Sequence, residues 1–328
     1  MARPLVEEDL LLLVDALAPG EWQSGEALAA AAGMTRAGLA KRVAHLREWG
    51  LPIESKFGQG YRLARPLERL DEQRLRDAVP HDLRVDVLPL VDSTNRVVMD
   101  ADPADDPQAV LAEHQTAGRG RRGRDWRSPF GANLYLSTAW TFPMWPQQLP
   151  ALSLSVGVVC ARALHASGVD GIRLKWPNDL WVAERKLGGI LIEQRGESSG
   201  TCRVIVGVGI NVSMDKSQAG GIDQPWITVD EALQRAGRPP VSRNHLAAEL
   251  LHGLHECLSR YTVKGFEPYR DEWLGLDALR DREVHVPDTD PKVRGIGRGI
   301  DANGAFLIET PQGVKALFGG DVSLRAVK

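Results

Sequence analysis

The chain has 328 residues, 43% hydrophobic and 25% charged, with a net charge of −3. These values suit a globular polypeptide long enough for two or three folded units; they exclude a chain disordered throughout, or one that binds nucleic acid by bulk charge. No apolar run reads as long enough to span a membrane, and Glu7, Glu8 and Asp9 stand where a secretory leader would be basic. Cys160, Cys202 and Cys257 are far apart and form no CxxC pair, so the expectation is a reduced, cytoplasmic protein without a resident metal site.

Leu10, Leu13, Val14 and Leu17 have helical spacing, and Pro19-Gly20 stops that helix. Ser24 can cap a second helix ending at Gly33, and Thr35 a third. In the third, Leu39, Val43 and Leu46 share one face; Ala37, Lys41 and Glu48 share the other, with Arg36 at its start. Residues 53–57 and 61–63 flank Gly58-Gln59-Gly60 and read as a hairpin. Two helices joined at a glycine and followed by a hairpin predict a winged helix-turn-helix over residues 1–65. Arg36, Lys41, Arg42, Arg47, Lys56 and Arg62 against Glu48 and Glu54 give this stretch a local charge of about +4, as DNA-binding units carry. The plainer reading is a three-helix unit for protein contacts. On the DNA reading, Arg36, Ala37 and Lys41 face base edges, while Arg42, Arg47 and Lys56 neutralise phosphates.

Pro66 and the charged stretch to Arg76 read as a linker with a short helix. From about Leu83, apolar strands at 109–112, 133–139, 186–193 and 203–211 alternate with helical patterns at 151–166 and 246–261. This predicts a mixed α/β unit over residues 66–276, without the regular alternation of a Rossmann fold. Beyond it, strand-like runs at 284–286, 295–301, 305–309 and 314–318, with turn signals at Asn303-Gly304 and Gln312-Gly313, fit a small SH3-like barrel over 277–328. The fold class expected is α+β.

The most informative segment is Gly118-Arg119-Gly120-Arg121-Arg122-Gly123-Arg124. Its glycines let backbone N–H groups converge on an anion, and its arginines surround that anion with charge. It is neither a Walker A loop nor a dinucleotide fingerprint. By itself it reads as a solvated basic loop or an RNA-binding patch. It does not stand by itself: Asp92-Ser93-Thr94-Asn95 precedes it, and Asp125-Trp126 and 128–134 follow. Lys175-Trp176-Pro177-Asn178-Asp179, 185–190 and Gly207-Val208-Gly209-Ile210-Asn211 come later.

Together these ordered motifs resemble the biotin protein ligases, and with the N-terminal unit they resemble the bifunctional bacterial kind that also represses the biotin operon. The resemblance spans about Leu10 to Arg325. It implies a central unit resembling class II synthetases, with biotin, ATP and Mg²⁺ as reactants. It also implies three partners: the biotin-acceptor domain of a carboxylase, operator DNA, and a second copy of the chain once the adenylate is bound. No membrane partner is expected.

The resemblance also implies residue roles. Ser93, Thr94, Asn95 and Gln115 read biotin's ureido ring, with Arg119, Gly120, Arg121, Lys186 and Gly188 completing the biotin set. Lys186, Arg119, Lys175 and Asp179 are the candidate catalytic residues. Arg121, Arg122, Trp126, Asn178, Asn211, Trp226 and Arg325 are placed around the nucleotide. Several plainer readings stay open at this point: Trp126 and Trp176 as scaffold, Asn95 as a helix cap, and Asp179 orienting Lys175 or touching metal or phosphate. The segment 213–224, rich in Gly, Ser, Asp and Gln, is expected to close with the basic loop over a water-sensitive intermediate. Competing functions are a ligase whose DNA-binding unit is silent, a non-catalytic biotin-sensing repressor, and a lipoyl ligase.

Overall fold

The computed structural model describes residues 6–196, 200–286, 293–318 and 325–326. Its first elements are α1 (Glu7–Leu17), α2 (Gly25–Ala31), α3 (Arg36–Glu48), and a hairpin of β1 (Ile53–Lys56) and β2 (Gly60–Leu63). Ser24 Oγ accepts from the Glu26 and Ala27 amides, and Thr35 Oγ1 from Gly38, so both expected caps form. Leu10, Leu13, Val14, Leu17, Leu39, Val43 and Leu46 are buried together. Gly60 has φ 100°, and a Cβ there would run into the Gln23 carbonyl. Only glycine lets the hairpin lie that close to the chain before α2.

Arg42 corrects the DNA reading. Its side chain is 3% exposed and pairs with Asp9 of α1 at 2.7 Å, so it cannot meet a phosphate. Position 42 lies between the apolar positions 39, 43 and 46, and the side chain turns inward. Arg47 donates to the Ile53 carbonyl and to Ser55 Oγ, fastening the hairpin to α3. Arg36, Ala37, Lys41 and Lys56 are exposed.

The central region runs α4 (Glu72–Asp77), β3 (Arg84–Val91), α5 (Thr94–Asp100), β4 (Gln108–Gln115), β5 (Leu134–Phe142), α6 (Leu152–Ala166), β6 (Ile172–Lys175), β7 (Asp179–Val182), β8 (Arg185–Gly196), β9 (Cys202–Ile210), α7 (Val229–Arg235), α8 (Arg243–Lys264) and α9 (Glu267–Leu276). Its sheet has seven strands in the order β3-β4-β5-β9-β8-β7-β6. Only β3–β4 is parallel, and α5 forms its crossover. Alternation along β4 sends Ala109 and Leu111 into the main core and Val110 to the opposite face, where Val98 of α5 packs with Ala139 and Ile205. Helices α6 and α8 cover the main face.

Residues 149–166 form an 18-residue stretch of mean hydropathy 1.5 that is 72% buried within the fold. It contains the helix expected at 151–166, which is the core helix α6, sheltered by sheet and helices. Two buried ion pairs brace the region: Arg203–Asp106 at 2.9 Å and Arg243–Glu113 at 2.8 Å. All three cysteines are buried and unpaired, and burial pushes the Cys160 thiol up to about 12.

The last elements are β10 (Glu283–His285), β11 (Arg294–Ile300), β12 (Phe306–Thr310), β13 (Gly313–Leu317) and β14 (Arg325–Ala326), an antiparallel sheet in the order β13-β12-β11-β10-β14. Asn303-Gly304 makes the expected turn: Asp301 Oδ1 accepts from the Asn303 and Ala305 amides. Trp176, 2% exposed, donates its indole N–H to the Gly304 carbonyl at 3.1 Å and leans on Phe306. It joins the β6–β7 turn to this sheet.

The N-terminal unit is packed against the central sheet. Trp49, just after α3, stacks on Phe130 at 5.6 Å and on His114 at 5.9 Å. Its carbonyl accepts from the Phe130 amide at 2.8 Å, while Gln218 Nε2 donates to the Gly50 carbonyl at 2.7 Å.

Candidate functional site

A cavity of about 710 Å³ opens between the 118–124 loop, the β6–β7 turn and residues 223–225. Glycines make its floor. A Cβ on Gly209 would lie 2.6 Å from the Trp126 indole, and one on Gly207 would run into Asn95 Oδ1. The Gly-Val-Gly of β9 therefore makes room for Trp126, just after the basic loop, and for Asn95 of α5. Trp126 is half-buried in the cavity wall.

One end of the cavity is neutral and rich in hydrogen bonds. The Thr94 amide and hydroxyl both donate to Gln115 Oε1, at 2.9 and 3.2 Å, and Gln115 Nε2 donates to Ser128 Oγ at 2.9 Å. Ser93, Thr94, Asn95 and Gln115 all line this end. Asn95 is not a helix cap; Ser93 holds that position. The Asn95 Nδ2 donates to Glu193 Oε2 at 2.8 Å, and its Oδ1 lies 2.5 Å from Ser137 Oγ.

The other end is cationic. Lys186 Nζ is 2.7 Å from Asp179 Oδ1, with both side chains mostly buried, and 5.5 Å from the Trp126 ring centre. The partner that the geometry gives Asp179 Oδ1 is Lys186. Lys175 Nζ lies over the Trp181 ring at 4.6 Å. Arg121 donates to Asn178 Oδ1 at 3.3 Å, and Asn178 is itself fixed by donating to the Ile190 carbonyl. Arg119, Arg121, Arg122, Arg124, Lys175, Lys186 and Arg282 line the cavity against Asp125, Asp179, Glu184 and Asp223, an excess of cations where an anion would sit.

The basic loop differs from its expected cradle. Its Gly120 amide donates to the Arg124 carbonyl at 2.7 Å and its Arg124 amide to the Arg121 carbonyl at 3.4 Å, so two of its N–H groups serve the loop itself. Arg122 has φ 60°, the left-handed region that costs a side-chain-bearing residue about 1 kcal/mol or more.

Four expected residues fall elsewhere. Gly188 is buried against the Gly209 carbonyl and Leu180, and Gly189 lines the cavity in its place. The cause is a bulge: Trp181 pairs with Lys186 but Leu180 with Gly188, so Leu187 is extra and the alternation flips. Asn211 and Trp226 lie behind Lys186 rather than in the cavity wall: Asn211 Nδ2 reaches the Lys186 carbonyl at 3.4 Å, and Lys186 and Trp226 form a backbone bridge. Arg325 pairs through its backbone with His285; its side chain and residues 319–324 lie outside the described residues. Sequence reasoning missed Glu193, Ser137, Trp181 and Arg282. Among the described residues, no group of three or more His, Cys, Asp or Glu is placed to hold a metal ion.

Residues 87–211 match the model of the biotin/lipoate A/B protein ligase family, and 281–325 that of the biotin protein ligase C-terminal domain. The chain is 42% identical to the bifunctional ligase/repressor BirA of Salmonella typhimurium over 97% of this chain and 98% of that protein. The chain belongs to the biotin protein ligase family. The BirA of Escherichia coli is 40% identical to this ligase over the same shares of the two chains. A biotin protein ligase from Aquifex aeolicus, solved in complex with biotin and ATP, superposes with a TM-score of 0.62 at 27% identity, covering 74% of this ligase and 99% of that chain. The mixed α/β sheet and the small C-terminal sheet are thus those of a biotin ligase.

Proposed function

We propose that this ligase joins biotin to ATP as biotinyl-5′-AMP and passes the biotinyl group to a lysine of an acceptor carboxylase subunit. The observation that carries this is the polarity of one cavity, neutral and hydrogen-bonding at Thr94–Gln115, cationic at Lys186–Asp179. A ureido ring donates and accepts hydrogen bonds, and suits the first end. A carboxylate meeting a triphosphate suits the second.

A biotin carboxylate oxygen would attack the α-phosphorus, and the bond to the bridging oxygen breaks, releasing pyrophosphate. Two anions approach, so the work is positioning and charge stabilisation. Lys186, held by Asp179, would lie on the carboxylate and the new phosphate ester. Arg119, Arg121 and Lys175 supply further charge, while Arg122, Trp126 and Asn178 border the nucleotide and Gly120 belongs to the biotin set. Asn211 and Trp226 would act through the Lys186 backbone, and Arg325 from the C-terminal strand. Mg²⁺ would arrive with the triphosphate, whose oxygens are its main ligands. The acceptor amine then attacks the carbonyl carbon, loses its proton, and AMP leaves.

The second function is repression. Residues 1–65 would act as a winged helix-turn-helix, with Arg36, Ala37 and Lys41 exposed on α3 and Lys56 on the hairpin. The adenylate would favour a homodimer whose paired units read a two-fold operator. The middle unit would span 66–276 and an SH3-like unit 277–328, in a cytoplasmic protein.

ATP–pyrophosphate exchange, run with biotin, with lipoate and with neither, tests the enzyme. Exchange with biotin alone is expected; exchange with neither acid would overturn the reading. DNA binding that rises with biotinyl-5′-AMP and falls with salt tests the repressor.

A further inference from the structure

Arg119, the first arginine of the basic loop, is held by a carboxylate that belongs to neither substrate. Its guanidinium lies 3.3 Å from Glu193 Oε2. The same oxygen accepts from Asn95 Nδ2 at 2.8 Å, and Asn95 is wedged between Ser137 and Gly207. Glu193 sits on β8, paired with Ile205 of β9. The two partners are unequal. Glu193 is three-quarters buried on a sheet strand, whereas Arg119 is about half exposed and flanked by Gly118 and Gly120.

We infer that Glu193 is a positioning residue, a placeholder anion that parks Arg119 at the cavity rim until an anionic substrate replaces it. The inference rests on Arg119 serving the anionic end of the proposed reaction. A guanidinium with no partner in an open site would be free to swing with its loop, and ordering it would be charged against substrate binding. Parked on Glu193, it is already localised. The exchange is balanced in charge, because the incoming carboxylate or phosphate takes over the donors that Glu193 gives up. Glu193 is not stranded afterwards, since the Asn95 amide stays on it. The pair is partly exposed, so its hold is weak and reversible, as a placeholder requires.

The test uses the full chain and three variants: Glu193→Gln, Glu193→Asp and Arg119→Gln, with the Glu193→Gln/Arg119→Gln double variant. Glu193→Asp keeps the charge but shortens the reach, so loss of contact is separated from loss of charge. Trypsin cleavage within 119–124, followed by mass spectrometry without ligand, reads the parking contact independently of activity. Both Glu193 variants are expected to be cut about two- to five-fold faster, and the Gln variant to show a biotin KM, measured with ATP present, that is higher by a similar factor, because Arg119 must then be ordered at the expense of substrate binding. Both effects should vanish when Arg119 is already Gln. Unchanged cleavage in both Glu193 variants would overturn the inference, as would a KM rise that persists in the double variant, which marks an effect that does not pass through Arg119. If Arg119→Gln alone leaves the biotin KM unchanged, the substrate role of Arg119 fails and the placeholder role falls with it; biotin-dependent exchange, measured on the same samples, still reports the ligase reading separately.

Discussion

Lys186 and Asp179 face each other across the β7–β8 hairpin, 2.7 Å apart, and the bulge at Leu187 is what lets Lys186 and Gly189 share the cavity face. The lysine is therefore aimed by backbone register as well as by its carboxylate. Lys186→Met should cut biotin-dependent ATP–pyrophosphate exchange by about 100-fold or more, as loss of a charge at the reacting group does. Asp179→Asn keeps the cation but frees it, and a loss of about 10-fold is expected. Equal losses in the two variants would show that Asp179 does more than orient the lysine.

Gly209 has no room for a methyl group, because Trp126 lies where it would go. Gly209→Ala should push the indole off the cavity floor, cost about 1–3 kcal/mol in stability, and alter Trp fluorescence on adding biotin and ATP. A variant with parental melting temperature and parental fluorescence would refute this.

Arg42 and Lys41 are neighbours on α3 with opposite fates. Arg42→Ala removes one side of the buried Arg42–Asp9 ion pair and should cost about 3–5 kcal/mol, seen as a lower melting temperature of the N-terminal unit. Lys41→Ala should leave melting unchanged, weaken DNA binding, and lower the salt slope by about 1.

Asp277 carries a pH dependence. Burial pushes its carboxyl from 3.8 to about 6, and Oδ2 has no hydrogen-bond partner. The folded state thus holds the proton more tightly than the unfolded chain does, so stability falls as pH rises through this window and the full penalty is present above it. Asp277→Asn should stabilise the protein, with its advantage growing by about 1 kcal/mol between pH 5 and pH 8. Thermal melts at the two pH values measure it; a constant difference would show that Asp277 titrates normally.

The sequence made the local elements legible where their signals are local: both N-terminal caps, the Gly58–Gly60 hairpin, and the Asn303-Gly304 turn are where composition put them. The strands β6 and β7 were missed because each is only four residues long around the Trp176-Pro177-Asn178 turn. In the site, a motif names residues but not parity, so Gly188 was chosen where the bulge delivers Gly189. Glu193 escaped notice because a lone carboxylate on an apolar strand has no sequence signal; its meaning comes from Asn95 and Arg119, 98 and 74 residues away. Arg42 was misplaced because a basic residue beside an apolar face gives no hint of a buried aspartate on another helix.

The stacking of Trp49 on His114 and Phe130, with Gln218 on the Gly50 carbonyl, bears on how the protein can be taken apart. His114 and Gln115 are consecutive on one strand, and Ser128 touches both side chains. The wall that greets Trp49 is thus the back of the wall that would greet biotin. Cutting the chain near residue 65 to obtain a stand-alone ligase would strip an aromatic ring from that wall and leave an oily scar at Phe130. The two halves are not beads on a string; a minimal enzyme would have to be re-surfaced, not merely trimmed.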